Sequence, residues 1–404
     1  MGTIMLTEAD RQAVDALTAV DPAWTGMRTA ADALGLETHT LLHCGPPAAP
    51  AHALVPPILN SAAVACVFEG WADDLDEAST LVSSGFIRFL PAQDHRAATP
   101  MAAVISPSMR LIEMSDLKDS ARRCYAPING GGHGGSPVAR YGRRTPQCVA
   151  FLRFLNDPVA DLLDQVCSEP ISWLPLIDHA LTSGDDTHLH HIAAHACLLQ
   201  MIDTRRRGLR TDAESDVFIR EWPIFHLNFW MAAVRCIFEG ATGVSTSSLV
   251  TAFGGNGKAF GLQVSGLPER WFITEATPPI GRLRDGFVTA DTTGALGDSA
   301  IIEALGLGAL AQRYAPQMRE LFAGHHHDDL LSLPAKLLVT AHPKLPESGA
   351  LTGLIARNVV AQHTTPVIEL GIVDRTGKAG GLGAGLYRPP LDPFAAACRA
   401  LALP

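Results

Sequence analysis

The residues best equipped for chemistry fall in a few short runs. Asn256-Gly257-Lys258-Ala259-Phe260-Gly261 leads through Val264-Ser265-Gly266 into Arg270-Trp271-Phe272, and Leu296-Gly297-Asp298-Ser299-Ala300-Ile301 follows. Glycines let backbone amides approach a ligand, while Asn, Lys, Arg, Ser and Asp supply donors and charge. The Arg270 fork beside Trp271 matches a planar carboxylate or a phosphate. Asn256 would orient such a ligand, and Lys258 adds charge or simply faces solvent. Gly297, Asp298 and Ser299 offer amides, a carboxylate and a hydroxyl at an expected helix start, which suits an anion; a plain Asp298 N-cap explains the same residues. Upstream, Asp94-His95 presents an imidazole for proton transfer, and Ser106-Pro107-Ser108 presents two hydroxyls for an anion. A polar turn between two strands accounts for that stretch equally.

Other candidate runs point elsewhere. His188, His191 and His195 follow Asp185-Asp186 at helical spacing, so three imidazoles share a face as metal ligands do. No Glu stands between them as in His-Glu-x-x-His, and the two acids are natural caps, so a structural cluster without metal is expected. His325-His326-His327 is expected as a solvated turn. The glycine-rich run 129–137 lacks the Gly-Lys-Ser/Thr of a phosphate loop and is expected as a linker. The six glycines of 371–385 either wrap backbone around a ligand or form a hairpin. No Gly-x-Gly-x-x-Gly opens a strand-helix unit, and no Gly-x-Ser-x-Gly elbow or Cys-His arrangement is present. No cofactor and no acyl-enzyme nucleophile are expected.

The elements that must position these residues suit a protein of several domains. At 404 residues and 47% hydrophobic content the chain can bury more than one core. The net charge of −10 argues against nucleic acid, because the basic residues gather only in runs as short as Arg205-Arg206-Arg207. Eight scattered cysteines, with no Cys-x-x-Cys pair, fit reduced thiols in a cytoplasmic protein. The opening residues show no basic-then-apolar leader, and every apolar run is interrupted, so neither secretion nor membrane insertion is expected. Helices are expected over 7–20, 58–70 and 75–83, and strands over 86–90, 102–105 and 109–113. That alternation predicts an N-terminal α/β layer unit, 1–128. A helical middle domain is expected over 146–240, with helices over 189–201 and 225–238. From 243 to 404 the pattern returns to a second α/β unit. Its strands are expected near 247–251, 262–264, 271–273, 367–373 and 383–387, and its helices from 298 through 310, over 354–361 and from 392. The fold class predicted is therefore multi-domain α/β.

The runs, in this order, resemble the AllG-like family, which includes a subunit of oxamate carbamoyltransferase. The likeness spans nearly the whole chain. It rests on Leu42-His43-Cys44-Gly45-Pro46-Pro47, Phe68-Glu69-Gly70-Trp71-Ala72, Ser84-Gly85, the stretch from His95 to Met109, and Arg140-Tyr141-Gly142. It continues through Leu227-Asn228, Met231-Ala232-Ala233, the Asn256-to-Phe272 motifs, Gly297 to Ile301 and Gly383-Ala384-Gly385. Departures affect the polar residues. Asp94-His95 stands where the family usually has paired histidines, and Lys258-Ala259 replaces a Thr-Glu pair. Glu369 to Arg375 differs from the usual Asn-Thr-Gly-Ile-Ala-His-Lys, and Gly381 replaces a Gln.

The resemblance implies a carbamoyltransferase of nitrogen metabolism that works alongside partner subunits and as a homo-oligomer. Its reaction would move a carbamoyl group between phosphate and a small amide or amine, with carbamoyl phosphate or a carbamoylated amide as the small-molecule substrate. In that reading His95, Asn256 and Asp298 are catalytic, while Ser106, Ser108, Lys258, Arg270, Gly297 and Ser299 bind substrate, all converging on one cavity. The lost acid at Ala259 and the altered Glu369-Leu370 support a different expectation, a non-catalytic subunit that binds a small acid or stabilises a partner. A metal-dependent amide hydrolase built on His188, His191 and His195 is the third.

Overall fold

A computed structural model describes residues 6–48, 53–130, 135–206, 212–325 and 327–402. The start is built from local rules. Thr7 accepts from the Asp10 amide and Asp10 reaches back to Thr7, a capping box that starts helix Glu8–Ala19, and Ala13, Val14 and Leu17 bury one face of it. Asp10 then acts at long range, accepting from the Ser248 amide at 2.6 Å and from Arg357 at 3.0 Å. The first helix is thereby tied to the last third of the chain.

The architecture is multi-domain α/β, with several small sheets and helices packed on them. The first sheet orders its strands Asp119–Pro127, Arg110–Asp116, Pro22–Thr29 and Ile171–Ser172, all antiparallel. Helix His226–Ala241 lies on that sheet and also meets helix Glu8–Ala19 and strand Val250–Asn256. Its residues are apolar nearly all round, which requires burial on every side. Trp24, Trp173 and Phe229 pack their rings around it, and each such side chain contributes on the order of 2 kcal/mol by burial. A second sheet runs Leu296–Gly297, Val250–Asn256, Ala259–Val264 and Leu267–Glu275, and a third Ile280–Leu283, Gly381–Tyr387 and Ile368–Val373. Strands Thr40–His43 and Arg88–Pro91 form a parallel pair. Among the described residues no helix is long and apolar enough to cross a membrane.

Several expectations shift. Residues 102–105 make no strand beyond one bridge, Leu42 to Ile105, because Pro100 and Pro107 enclose a turn. The helix expected from 298 through 310 is only Ile301–Leu305, stopped by Gly306 at φ +111 and followed by a 3-10 turn, Gly308–Ala311. The middle helix begins at Ile192, since Asp185 accepts the Ala193 and Ala194 amides and Asp186 gathers those of His188, Leu189 and His190. Strands Pro22–Thr29 and Asp119–Pro127 lie where the sequence pattern suggested none. In the expected linker, residues 131–134 lie outside the described residues, as does His326.

Chain crossings are tight around the second sheet. Gly45 sits at φ +72, and a β-carbon there would lie 2.4 Å from the Gly255 carbonyl carbon. Gly45→Ala is expected to cost about 3 kcal/mol or more, combining left-handed strain with overpacking. Gly35→Ala, at φ +63 with nothing within 4 Å, should cost only about 1 kcal/mol. Urea denaturation of both variants compares them directly, and equal losses would contradict the close crossing.

Candidate functional site

Strand Leu296–Gly297 delivers Asp298 into the interior. Its carboxylate is fully buried: Oδ1 accepts from the Gly45 amide at 2.8 Å and Gln93 Nε2 at 2.6 Å, and Oδ2 from the Thr99 amide at 2.9 Å. Burial raises this carboxyl to about 6, against the donors that pull it down. Asp298 neither caps the helix nor opens to solvent; it fastens three loops together. Asn256 behaves alike, its Oδ1 accepting from the amides of Lys258 and Ala259 and its Nδ2 donating to Pro46 O.

The other nominated residues are dispersed. Asp94 accepts from Gln263 at 2.6 Å and Trp271 at 2.9 Å, which pins the Ala92–His95 turn to the second sheet. Burial raises the Asp94 carboxyl and lowers the His95 imidazole. Arg270 is itself exposed and lies over the ring of buried Phe272 on strand Leu267–Glu275. Alternate residues of a strand point to opposite faces, so Arg270 is directed away from Trp271 and hence from the Asp94–His95 turn. Lys258 is exposed at the hairpin tip. Ser106 and Ser108 both donate to Glu69, at 2.5 and 2.8 Å, and so hold a carboxylate of the protein itself. No hydrogen bond or ion pair among the described residues joins Arg270, Lys258, Ser106 or Ser108 to His95.

A different cavity gathers the shared motifs. About 170 Å³ in volume, it is lined by Met101, Arg140, Tyr141, His188, Asn228 and Ser299, and closed by Gly371, Gly383 and Ala384. At Gly371 the end of the Met101 side chain fills the place a β-carbon would take. Arg140 is only 7% exposed and forms no ion pair among the described residues. Its Nη2 donates to Tyr141 Oη at 2.9 Å, and its guanidinium stacks 4.6 Å from that ring. A guanidinium withdrawn from water without a carboxylate is costly unless an anion completes it. Asn228 donates its amide to the carbonyls of Asn129 and Phe225, while the Ser299 hydroxyl bonds to no other described residue. One buried cation and uncommitted polar atoms in a small recess can grip and orient a compact anion. A wider, more open groove of about 610 Å³, lined by Asp73, Asp74, Asp76, Arg144 and Arg153, has paired charges instead.

Behind the cavity wall His188 Nδ1 meets Glu303 Oε1 at 2.8 Å, with Glu369 alongside. The three histidines of the helical run do not converge. His191 Nε2 meets His188 O at 2.5 Å and its Nδ1 meets the His226 imidazole at 3.4 Å, while His195 Nε2 meets Arg220 O at 3.3 Å, so among the described residues His188 alone of the three belongs to a cluster of three ligand-type groups. Of the nominated residues, Ser299 lines the cavity. Arg140, Tyr141 and Asn228 were visible as motif positions, yet their types gave no sign of convergence.

The family model described as oxamate carbamoyltransferase subunit AllG matches residues 87–299. The oxamate carbamoyltransferase subunit AllG of Escherichia coli (strain K12) is 28% identical, with 98% of each chain covered. The uncharacterized protein YahG of the same organism is also 28% identical, over 96% of this chain and 84% of its own. A crystal structure of a conserved protein of unknown function from Enterococcus faecalis V583 superposes with a TM-score of 0.89 at 27% identity, covering 98% of this chain and 97% of that one.

The Asp298 carboxyl holds its proton more tightly in the folded chain, at about 6, than at its ordinary 3.8. Its contribution to stability is therefore greatest at low pH and declines as pH rises through that window. In urea denaturation the advantage of wild type over Asp298→Asn should shrink by about 2 kcal/mol between pH 4 and pH 7. An advantage that grows over that range contradicts the burial-driven shift.

Proposed function

Because the chain belongs to the family of oxamate carbamoyltransferase subunit AllG, we propose that it is a carbamoyltransferase-related subunit that binds a small carbamoyl-bearing anion against Arg140. The observation that carries this reading is the buried guanidinium of Arg140, without an ionic partner among the described residues, in a recess lined by Tyr141, Asn228 and Ser299. The relative from Escherichia coli is named an oxamate carbamoyltransferase subunit, and oxamate and carbamoyl phosphate are both compact anions. Moving a carbamoyl group to or from phosphate breaks and forms bonds at its carbonyl carbon, and negative charge develops on the carbonyl oxygen. In this proposal the Arg140 fork grips the phosphate or carboxylate. The Ser299 hydroxyl donates toward the carbamoyl oxygen, and the Asn228 oxygen accepts from the carbamoyl NH2. Asp298 and Asn256 are positioning residues that hold the Ser299 turn and the neighbouring hairpin. Partner subunits and self-association belong to the same proposal.

A second reading keeps the anion but not its turnover. It is favoured by the internal commitments of Asp298, Asn256, Ser106 and Ser108, which leave few free polar groups for catalysis. Both readings require the Arg140 site. Isothermal titration with carbamoyl phosphate, oxamate and phosphate should show binding by wild type that weakens roughly tenfold to a hundredfold in Arg140→Gln. No binding of any of the three, or equal binding by the variant, contradicts the site. Carbamoyl transfer assayed with candidate partners then separates a catalytic subunit from a binding one.

A further inference from the structure

We infer that His188, Glu303 and Glu369 form a binding site for one divalent cation of the Mn2+ or Zn2+ type in the wall of the Arg140 cavity. One donor atom from each lies within 4.8 Å of the others. The three side chains are 1%, 0% and 0% exposed, so water does not neutralise their charge. The only ion-pair partner of Glu303 is His188, and Glu369 has none among the described residues. Close by, Asp186 adds a third buried carboxylate, with its Oδ1 bound by the amides of His188, Leu189 and His190.

The hydrogen bonds divide each carboxylate into a fixed and a bare oxygen. Glu303 Oε1 accepts from the amides of Ala309 and Glu369, at 3.0 and 3.1 Å, and meets His188 Nδ1. Glu369 Oε1 accepts from Gln312 Nε2 at 2.5 Å. Glu303 Oε2 and Glu369 Oε2 are buried and accept from no donor among the described residues, and the Asp186 carboxyl stands against that of Glu369. Outer donors that lock one oxygen and leave the other bare are how protein scaffolds orient metal ligands. Three carboxylates, those of Asp186, Glu303 and Glu369, lie fully buried here with a bare oxygen each, so the cluster must take up positive charge, as protons or as a cation. One imidazole with two carboxylates suits a borderline divalent ion, and His188 also lines the cavity, which places that ion beside the Arg140 recess. The competing arrangement is a proton shared between Asp186 and Glu369.

The test uses the full chain, stripped with chelator, desalted and titrated with MnCl2 or ZnCl2. Wild type should retain one ion per chain by inductively coupled plasma mass spectrometry and unfold at a higher temperature when loaded. Glu369→Gln keeps the shape and removes one buried charge. It should fold without metal, bind at least about a hundredfold more weakly, and lose the metal-dependent thermal shift. His188→Asn should behave the same and serves if Glu369→Gln does not fold. Wild type that retains neither ion and shows no thermal shift overturns the inference and leaves proton sharing. Wild-type stoichiometry retained in a folded variant overturns it also, assigning the ion to surface histidines. None of these readouts involves a substrate, so the cation site stands or falls separately from the anion reading.

Discussion

The cavity depends on one buried carboxylate. Asp298 draws Gly45, Gln93 and Thr99 onto its two oxygens from sites far apart in the chain. An ionised group at zero exposure persists only when donors replace its water, and here two backbone amides and a side-chain amide do so. The residue after it, Ser299, is thereby fixed at the cavity wall. Loosening the Asp298 knot would release the strand Leu296–Gly297, the turn Ala92–His95 and the loop after strand Thr40–His43 together.

On that frame charge is arranged with opposite signs on two sides of His188. Among the described residues Arg140 has no counter-ion, Glu369 has none, and Glu303 has only the His188 imidazole. Were the two groups in direct contact they would neutralise each other. No ion pair joins them, so each side calls for a charge from outside, an anion at Arg140 and a cation or proton at the glutamates. In the proposed function this combination lets a recess of about 170 Å³ select a compact charged molecule without any broad basic surface.

Local rules were legible in the sequence and distant ones were not. The Thr7 and Asp10 box, the caps at Asp185 and Asp186 and the apolar helix His226–Ala241 follow from neighbours within a few residues. Ser299 was legible because its turn carries a hydroxyl beside glycine. Arg140 was not, since an arginine following a glycine-rich run has the pattern of a surface residue. The recess it lines is completed by Met101, His188, Asn228 and Gly371, contributed by four separated stretches. Arg270 shows the reverse error of pattern: beside Trp271 it looks like a ligand clamp, yet the two-residue repeat of its strand sends the two side chains to opposite faces. Asp298 matched both an N-cap and an anion site by type, and its partners at 45, 93 and 99 decide for neither.

The most direct test of the account is a crystal structure of the protein soaked with carbamoyl phosphate. The account predicts the anion in the recess, with its phosphate on the Arg140 guanidinium and the Ser299 hydroxyl within hydrogen-bonding distance. Density for the anion at the Lys258–Arg270 hairpin, with Arg140 untouched, would contradict it.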